Sequence, residues 1–165
     1  MLVIRPLAGS DSIPEITALL HAAYGQLAAM GFRYTASHQD DAVTERRLHR
    51  GHPFVAEFEG RLAGTVTLHK PGPDSDCEWY RRSNVMVFGQ FGVNPEFQRR
   101  GIGRRLFDHV ESFARELGAA SLALDTAENA SHLVRWYESL GFHTVQHVSW
   151  HDTNYRSVIM DKPLT

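Results

Sequence analysis

A chain of 165 residues with 42% hydrophobic and 22% charged residues has the size and composition of one globular domain with a real core, which sets aside the disordered and fibrous classes. A formal net charge of −2 excludes a chain that binds nucleic acid or membrane surface as a whole; any basic character is local. The single Cys77 excludes an internal disulfide and a multi-cysteine zinc site, and no apolar run reaches membrane-spanning length. The start, Met1-Leu2-Val3-Ile4-Arg5-Pro6, has no signal-peptide pattern, so the expectation is a single domain over residues 1–165 in a reducing, cytoplasmic setting.

Leu2 to Leu7 reads as a first strand. Ser12 and Glu15 stand in capping-box register ahead of a helix whose buried stripe is Ile16, Leu19, Leu20, Ala23 and Leu27, closed by Gly31. Residues 32–40 have no period and read as loop. Asp40 or Asp41 caps a shorter helix through Leu48, stopped by Gly51 and Pro53. Phe54 to Glu59 and Leu62 to Leu68 alternate as two strands around Gly60, and a polar loop runs from Lys70 to Ser83.

The informative stretch follows. Val87-Phe88-Gly89-Gln90-Phe91-Gly92-Val93 is an apolar run whose glycines predict a strand with a bulge or a close backbone contact, and Pro95 ends its pairing. From Ile102, apolar residues recur at helical spacing as far as Leu117, and Gly118 ends the pattern. A helix N-terminus carries partial positive charge and favours acids, yet Arg99, Arg100, Arg104 and Arg105 crowd this one, while Gly101 and Gly103 leave its amides open. Strand, glycine turn and basic helix start together predict a cradle for phosphate, against the plainer reading of a strand-to-helix loop with solvated arginines. Ser121 to Asp125 reads as another strand. A helix starting near Asn129 or Ala130 carries Leu133, Val134, Tyr137 and Leu140 on one side, and a hairpin turning at residues 152–154 completes the chain. The order is β-α-α-β-β-β-α-β-α-β-β, an α/β fold with a mixed sheet and a parallel centre.

Gln98, Gly101 and Gly103, placed after a strand ending Val93-Asn94-Pro95, and a helix with Tyr137 four residues before Gly141-Phe142, resemble the GNAT superfamily of N-acetyltransferases. The likeness is specific from Val87 to Phe142 and general before it. The resemblance implies acetyl-CoA as co-substrate, without a metal, lying where the central strand and the next one splay apart. Main-chain groups near Phe91 and Val93 are then expected to pair with the pantetheine arm. Amides over Gln98, Arg99, Arg100, Gly101, Ile102, Gly103 and Arg104 are expected to bind the pyrophosphate, and a backbone N–H of the bulged strand to polarise the thioester carbonyl. It also implies direct transfer of an acetyl group to a primary amine of a small molecule or peptide, with Tyr137 as the general acid toward the leaving thiolate.

Two features depart from the family's pattern. No acidic residue lies between Val85 and Val93, so Glu78, Asp76, a histidine or water must take the amine's proton. Asn129 stands eight residues before Tyr137, where relatives more often show seven, leaving it either a cofactor contact or a helix cap. The missing base keeps an alternative open, a non-catalytic acyl-CoA-binding sensor or docking module. An ATP or dinucleotide fold is weaker, because neither Gly-Lys-Ser/Thr nor Gly-x-Gly-x-x-Gly is present. Cys77 lacks a nameable histidine partner and reads as incidental rather than nucleophilic. His143, His147 and His151 read as strand histidines and not as a metal clamp. Trp79, Tyr80, Phe32 and Tyr34 suit an acceptor pocket for a cationic amine or lids over the core, and Arg81 and Arg82 suit a carboxylate. Expected partners are the amine acceptor alone, with no nucleic acid or membrane and with a homodimer allowed.

Overall fold

The computed structural model describes residues 1–164. It contains strands β1 (Leu2–Pro6), β2 (His52–Phe58), β3 (Arg61–His69), β4 (Val85–Val93), β5 (Ser121–Ala127), β6 (His143–Val148) and β7 (Ser157–Pro163). The helices are α1 (Ile13–Ala29), α2 (Asp41–Leu48), α3 (Ile102–Glu116) and α4 (Ser131–Ser139). This is the expected order of elements. Short 3-10 turns at Thr35–Ser37, Trp79–Arg81 and Pro95–Phe97 punctuate the stretches read as loop.

The seven strands form one sheet in the order β1-β2-β3-β4-β5-β7-β6. Among the described residues β4 and β5 form the one parallel neighbouring pair, and the helical crossover α3 joins them. The last strand, β7, enters between β5 and β6, an arrangement that hydrophobic periodicity does not encode. Its antiparallel register with β5 runs the full length from Ser121↔Pro163 to Ala127↔Ser157 and pins β5 firmly on that side.

Helix starts follow the local chemistry of their caps. Ser12 Oγ accepts from the Glu15 amide at 3.2 Å, and Asp40, the nearer of the two aspartates, accepts from the Val43 amide at 2.9 Å. Helix α3 buries Ile102, Leu106, Phe107, Val110 and Ala114 on the sheet. Gly64 of β3 lets it approach, since a Cβ there would lie 2.8 Å from Leu106 Cδ1.

The expected bulge in β4 exists, but on different chemistry. The register against β3 shifts between Thr65 and Thr67, and the residue with left-handed backbone is Gln90 (φ 49), not a glycine. Gly92 serves close approach instead: a Cβ there would meet Ala23 Cβ of α1 at 3.0 Å.

Candidate active site

The pairing of β4 with β5 spans only Val85↔Ser121 to Val87↔Ala123. Beyond it β4 follows β3, bent by the bulge, while β5 follows β7, so the two strands part. The gap opens into a continuous cleft of about 1350 Å³ lined by both strands, α1, α2, α4 and the turn before α3. A ligand site at the carboxyl ends of parallel strands is what an open sheet offers where its neighbours diverge.

At one end stands the glycine turn. Arg99 (φ 63) and Gly101 (φ 77) both take left-handed backbone, and Gly101 is the N-cap of α3 without a side-chain cap. The first bond from this turn into the helix is Arg105 N–H to the Gly101 carbonyl at 3.1 Å. Among the described residues no protein group accepts from the amides of residues 99–104. Six consecutive free donors at a helix start are an arrangement chemically suited to an anion, from backbone alone.

The arginine side chains are arranged otherwise than their crowding implies. Arg99 lines the cleft with Gln98, Gly101, Ile102 and Gly103. Arg100 instead lies 5.1 Å from the Phe58 ring, and Arg104 pairs with Asp108 at 2.9 Å, one turn along the helix. Asn129 is exposed in the turn before α4, outside the cleft lining, and Ala130 takes the N-cap position.

Phe91, Val93 and Tyr137 also line the cleft. The Phe91 carbonyl accepts the Tyr24 hydroxyl at 2.9 Å, which ties α1 to the bulged strand. Tyr137 is 8% exposed, packed edge-on against Phe88 and Phe142, and among the described residues nothing bonds its hydroxyl. Burial holds its pKa well above the usual phenol value.

The other end contains a residue that sequence reading passed over. Asp125, on β5, accepts the Tyr80 hydroxyl at 2.8 Å on one oxygen and the Trp150 indole N–H at 3.2 Å on the other. It is the one exposed residue of a strand that is otherwise buried, and its exposure is to the cleft. The surrounding protein raises its pKa above the ordinary carboxylate value, opposed by Tyr80, Arg47 and Trp150. The signal was available: an acid inside Leu122-Ala123-Leu124-Asp125-Thr126-Ala127 is anomalous for a core strand.

Of the bases expected from sequence, Asp76 lines the cleft and Glu78 does not. Tyr34 and Tyr80 line it as well, whereas Trp79 and Phe32 do not. The Tyr34 hydroxyl meets Thr126 Oγ1 at 2.6 Å and accepts the Ala127 amide at 3.0 Å, bracing the free edge of β5. Trp79 donates to Asp161 at 3.0 Å, and Arg82 covers the Trp79 ring at 3.7 Å. Arg81 is turned to the Ser75 carbonyl. Cys77 is fully buried, with its thiol against Gln146 and its pKa raised by burial, an inert setting. His143 and His147 lie on β6, and only His151 reaches the cleft.

A mixed sheet parting at its parallel pair thus provides a cleft with free amides among its lining. The model of the acetyltransferase (GNAT) family matches residues 15–142, and the chain belongs to that family. It is therefore an N-acetyltransferase with acetyl-CoA as co-substrate. It is 26% identical over 141 residues to S-(2-succino)cysteine N-acetyltransferase of Bacillus subtilis, covering 82% of this chain and 81% of that one. To [ribosomal protein bS18]-alanine N-acetyltransferase of Escherichia coli it is 32% identical over 77 residues, 44% of this chain and 52% of that one. In fold it is similar to yncA of Salmonella typhimurium, solved with acetyl-CoA, with a TM-score of 0.72 at 20% identity over 100% of this chain and 95% of that one.

Proposed function

We propose that the cleft acetylates the primary amine of a small molecule or an exposed peptide amine, with Asp125 as proton acceptor and Tyr137 as general acid. The observation that carries this reading is the parting of β4 from β5, with the free-amide turn, Asp125 and Tyr137 all lining the one cleft it opens. The names of two relatives support the reading in kind, one naming a cysteine derivative and one a ribosomal-protein alanine.

The amides of residues 99–104 hold the pyrophosphate, with Gln98 and Arg99 beside it, and Phe91 and Val93 border the pantetheine arm. Arg100 and Arg104 contribute backbone donors, since their side chains are engaged elsewhere. An amine reaches the site as an ammonium ion and must lose a proton to become a nucleophile. Asp125 is suited to take it: a carboxylate that faces the cleft, whose basicity the surrounding walls raise by desolvation, yet kept oriented by Tyr80 and Trp150.

The neutral nitrogen forms the new C–N bond as the C–S bond breaks. The sulfur leaves as a thiolate and takes the Tyr137 proton, and the second proton of the nitrogen restores the phenol. Net products are the amide, the free thiol and one proton held by Asp125. Burial keeps Tyr137 protonated until then, and the same dry surroundings raise the basicity of the departing thiolate.

The test follows free thiol when pure protein meets acetyl-CoA and a panel of amines. Tyr137→Phe is expected to slow turnover by about 10- to 100-fold while acetyl-CoA binding stays within about twofold. Unchanged turnover removes Tyr137 from the acid role.

A further inference from the structure

Arg46, Arg47 and Arg50, in the last turn of α2 and just beyond it, all line the acceptor end of the cleft. A helix C-terminus favours basic residues, but that does not account for how Arg47 is held. Five arginines elsewhere pair with carboxylates, Arg5 with Asp11, Arg61 with Glu96, Arg104 with Asp108, Arg115 with Glu111 and Arg156 with Glu128, at 2.7 to 2.9 Å. Arg47 donates instead to the neutral carboxamide of Gln39 at 2.7 Å.

Gln39 is 3% exposed and is anchored in turn by Thr44 Oγ1 at 2.8 Å and the Gln90 carboxamide at 3.3 Å. A buried polar chain thus aims the guanidinium without neutralising it. Among the described residues no carboxylate lies within ion-pair distance of Arg46, Arg47 or Arg50. His69 of β3 borders the same wall, and burial together with Arg50 and Arg47 pushes its pKa down to about 3. Asp125 and Asp152 attract Arg47 across the cleft without pairing with it, so the wall carries unpaired positive charge in a partly dry place, where an anion is a complementary occupant.

The close seating of α2 is specified by one glycine. A Cβ on Gly51 would lie 2.2 Å from the Leu68 carbonyl oxygen and 2.6 Å from His69 Cβ. Glycine there brings the end of α2 onto β3, beside the chamber that Asp125 faces from β5.

Resting on the acetyltransferase reading and deepening it, we propose that the acceptor is an amine that carries its own carboxylate, an amino acid or amino-acid derivative. Arg47 and Arg50 hold the carboxylate while the amine lies at Asp125. A plain alkyl amine or a polyamine brings no anion to this wall. A lysine within a folded protein brings none at that distance.

The experiment measures thiol release from acetyl-CoA with the L-amino acids, each matched to the amine left by removing its carboxylate, such as phenylalanine with 2-phenylethylamine. The carboxylated member of the best pair is expected to be favoured by about 10- to 100-fold in kcat/KM. Arg47→Gln is expected to raise KM for it by at least about tenfold with a smaller change in kcat, and Arg47→Lys to recover part of the loss. Arg50→Gln, at an exposed position, supplies the same test without threatening the fold, and melting curves identify a variant that has lost its structure. Turnover of decarboxylated amines as fast as their parents overturns the inference and leaves the acetyltransferase reading standing. Silence across the panel with acetyl-CoA still bound overturns the inference, and silence extended to peptide amines overturns both.

Discussion

The two ends of the cleft are built in opposite ways. The phosphate end is one continuous run, residues 98–104, and its donors are main-chain amides presented by two left-handed residues and a helix start. The acceptor end is a convergence of side chains: Arg47 from α2, His69 from β3, Tyr80 from the loop before β4, Asp125 from β5 and Trp150 from beyond β6. A backbone cradle tolerates changes in its own side chains and is damaged by changes in conformation. A side-chain chamber is the reverse, and this contrast orders the effects expected from mutation.

The largest effect is expected at the side-chain end. Asp125→Asn removes the proton acceptor and is expected to lower kcat/KM by about 10²- to 10⁴-fold, with acetyl-CoA affinity unchanged in equilibrium titration. In the wild type the acid limb of the kcat/KM profile reports the same group. Activity falls as pH drops through a pKa raised above the ordinary carboxylate value, because only the ionised form accepts a proton. A raised folded pKa also means that Asp125 favours folding below its unfolded pKa and that this contribution is lost as pH rises through the folded one. Asp125→Asn is therefore expected to remove that loss from a melting series taken at increasing pH.

At the backbone end, Gly101→Val forces a β-branched side chain onto φ 77 and should unwind the start of α3. Calorimetry is expected to show acetyl-CoA binding weakened by tenfold or more, with a stability loss of about 1–2 kcal/mol. If instead the amine KM rose with the acetyl-CoA KM intact, the division of labour between the two ends would be wrong.

Gly51→Ala sharpens the comparison from the other side. Its new methyl group meets backbone at 2.2 Å, so α2 must shift, at a cost of about 1–3 kcal/mol in denaturant unfolding. The amine KM is expected to rise while acetyl-CoA binding holds. The smallest effect is reserved for Arg104→Ala. Its exposed pair with Asp108 contributes at most about 1 kcal/mol, and its amide remains, so acetyl-CoA affinity should change by less than about threefold in the same titration.

The legibility of the two ends follows from their construction. Gly101, Gly103 and the proline-terminated strand are neighbours in sequence, so the glycine turn and the family likeness could be read directly, although two of the four arginines, Arg100 and Arg104, have their side chains engaged elsewhere. Asp125 was visible only as the end of a strand. Its meaning depends on Tyr80 and Trp150, 45 and 25 residues away, which turn a surface acid into an oriented and partly desolvated one. The bulge was foreseen in β4, yet its left-handed residue is Gln90, because the glycines are needed where helix α1 presses close and not where the strand bends.

By itself the sequence determined the order of elements, the helix caps and the open glycine turn, because all three depend on spacing and on residues within a turn or two of one another. Tertiary structure alone decided that β7 enters between β5 and β6, that β4 and β5 part after Val87, and that Arg47, His69 and Asp125 share one chamber. The reason is physical: local propensity acts through bonds and near neighbours, whereas desolvation and charge pairing act through space and exist only once distant segments have packed.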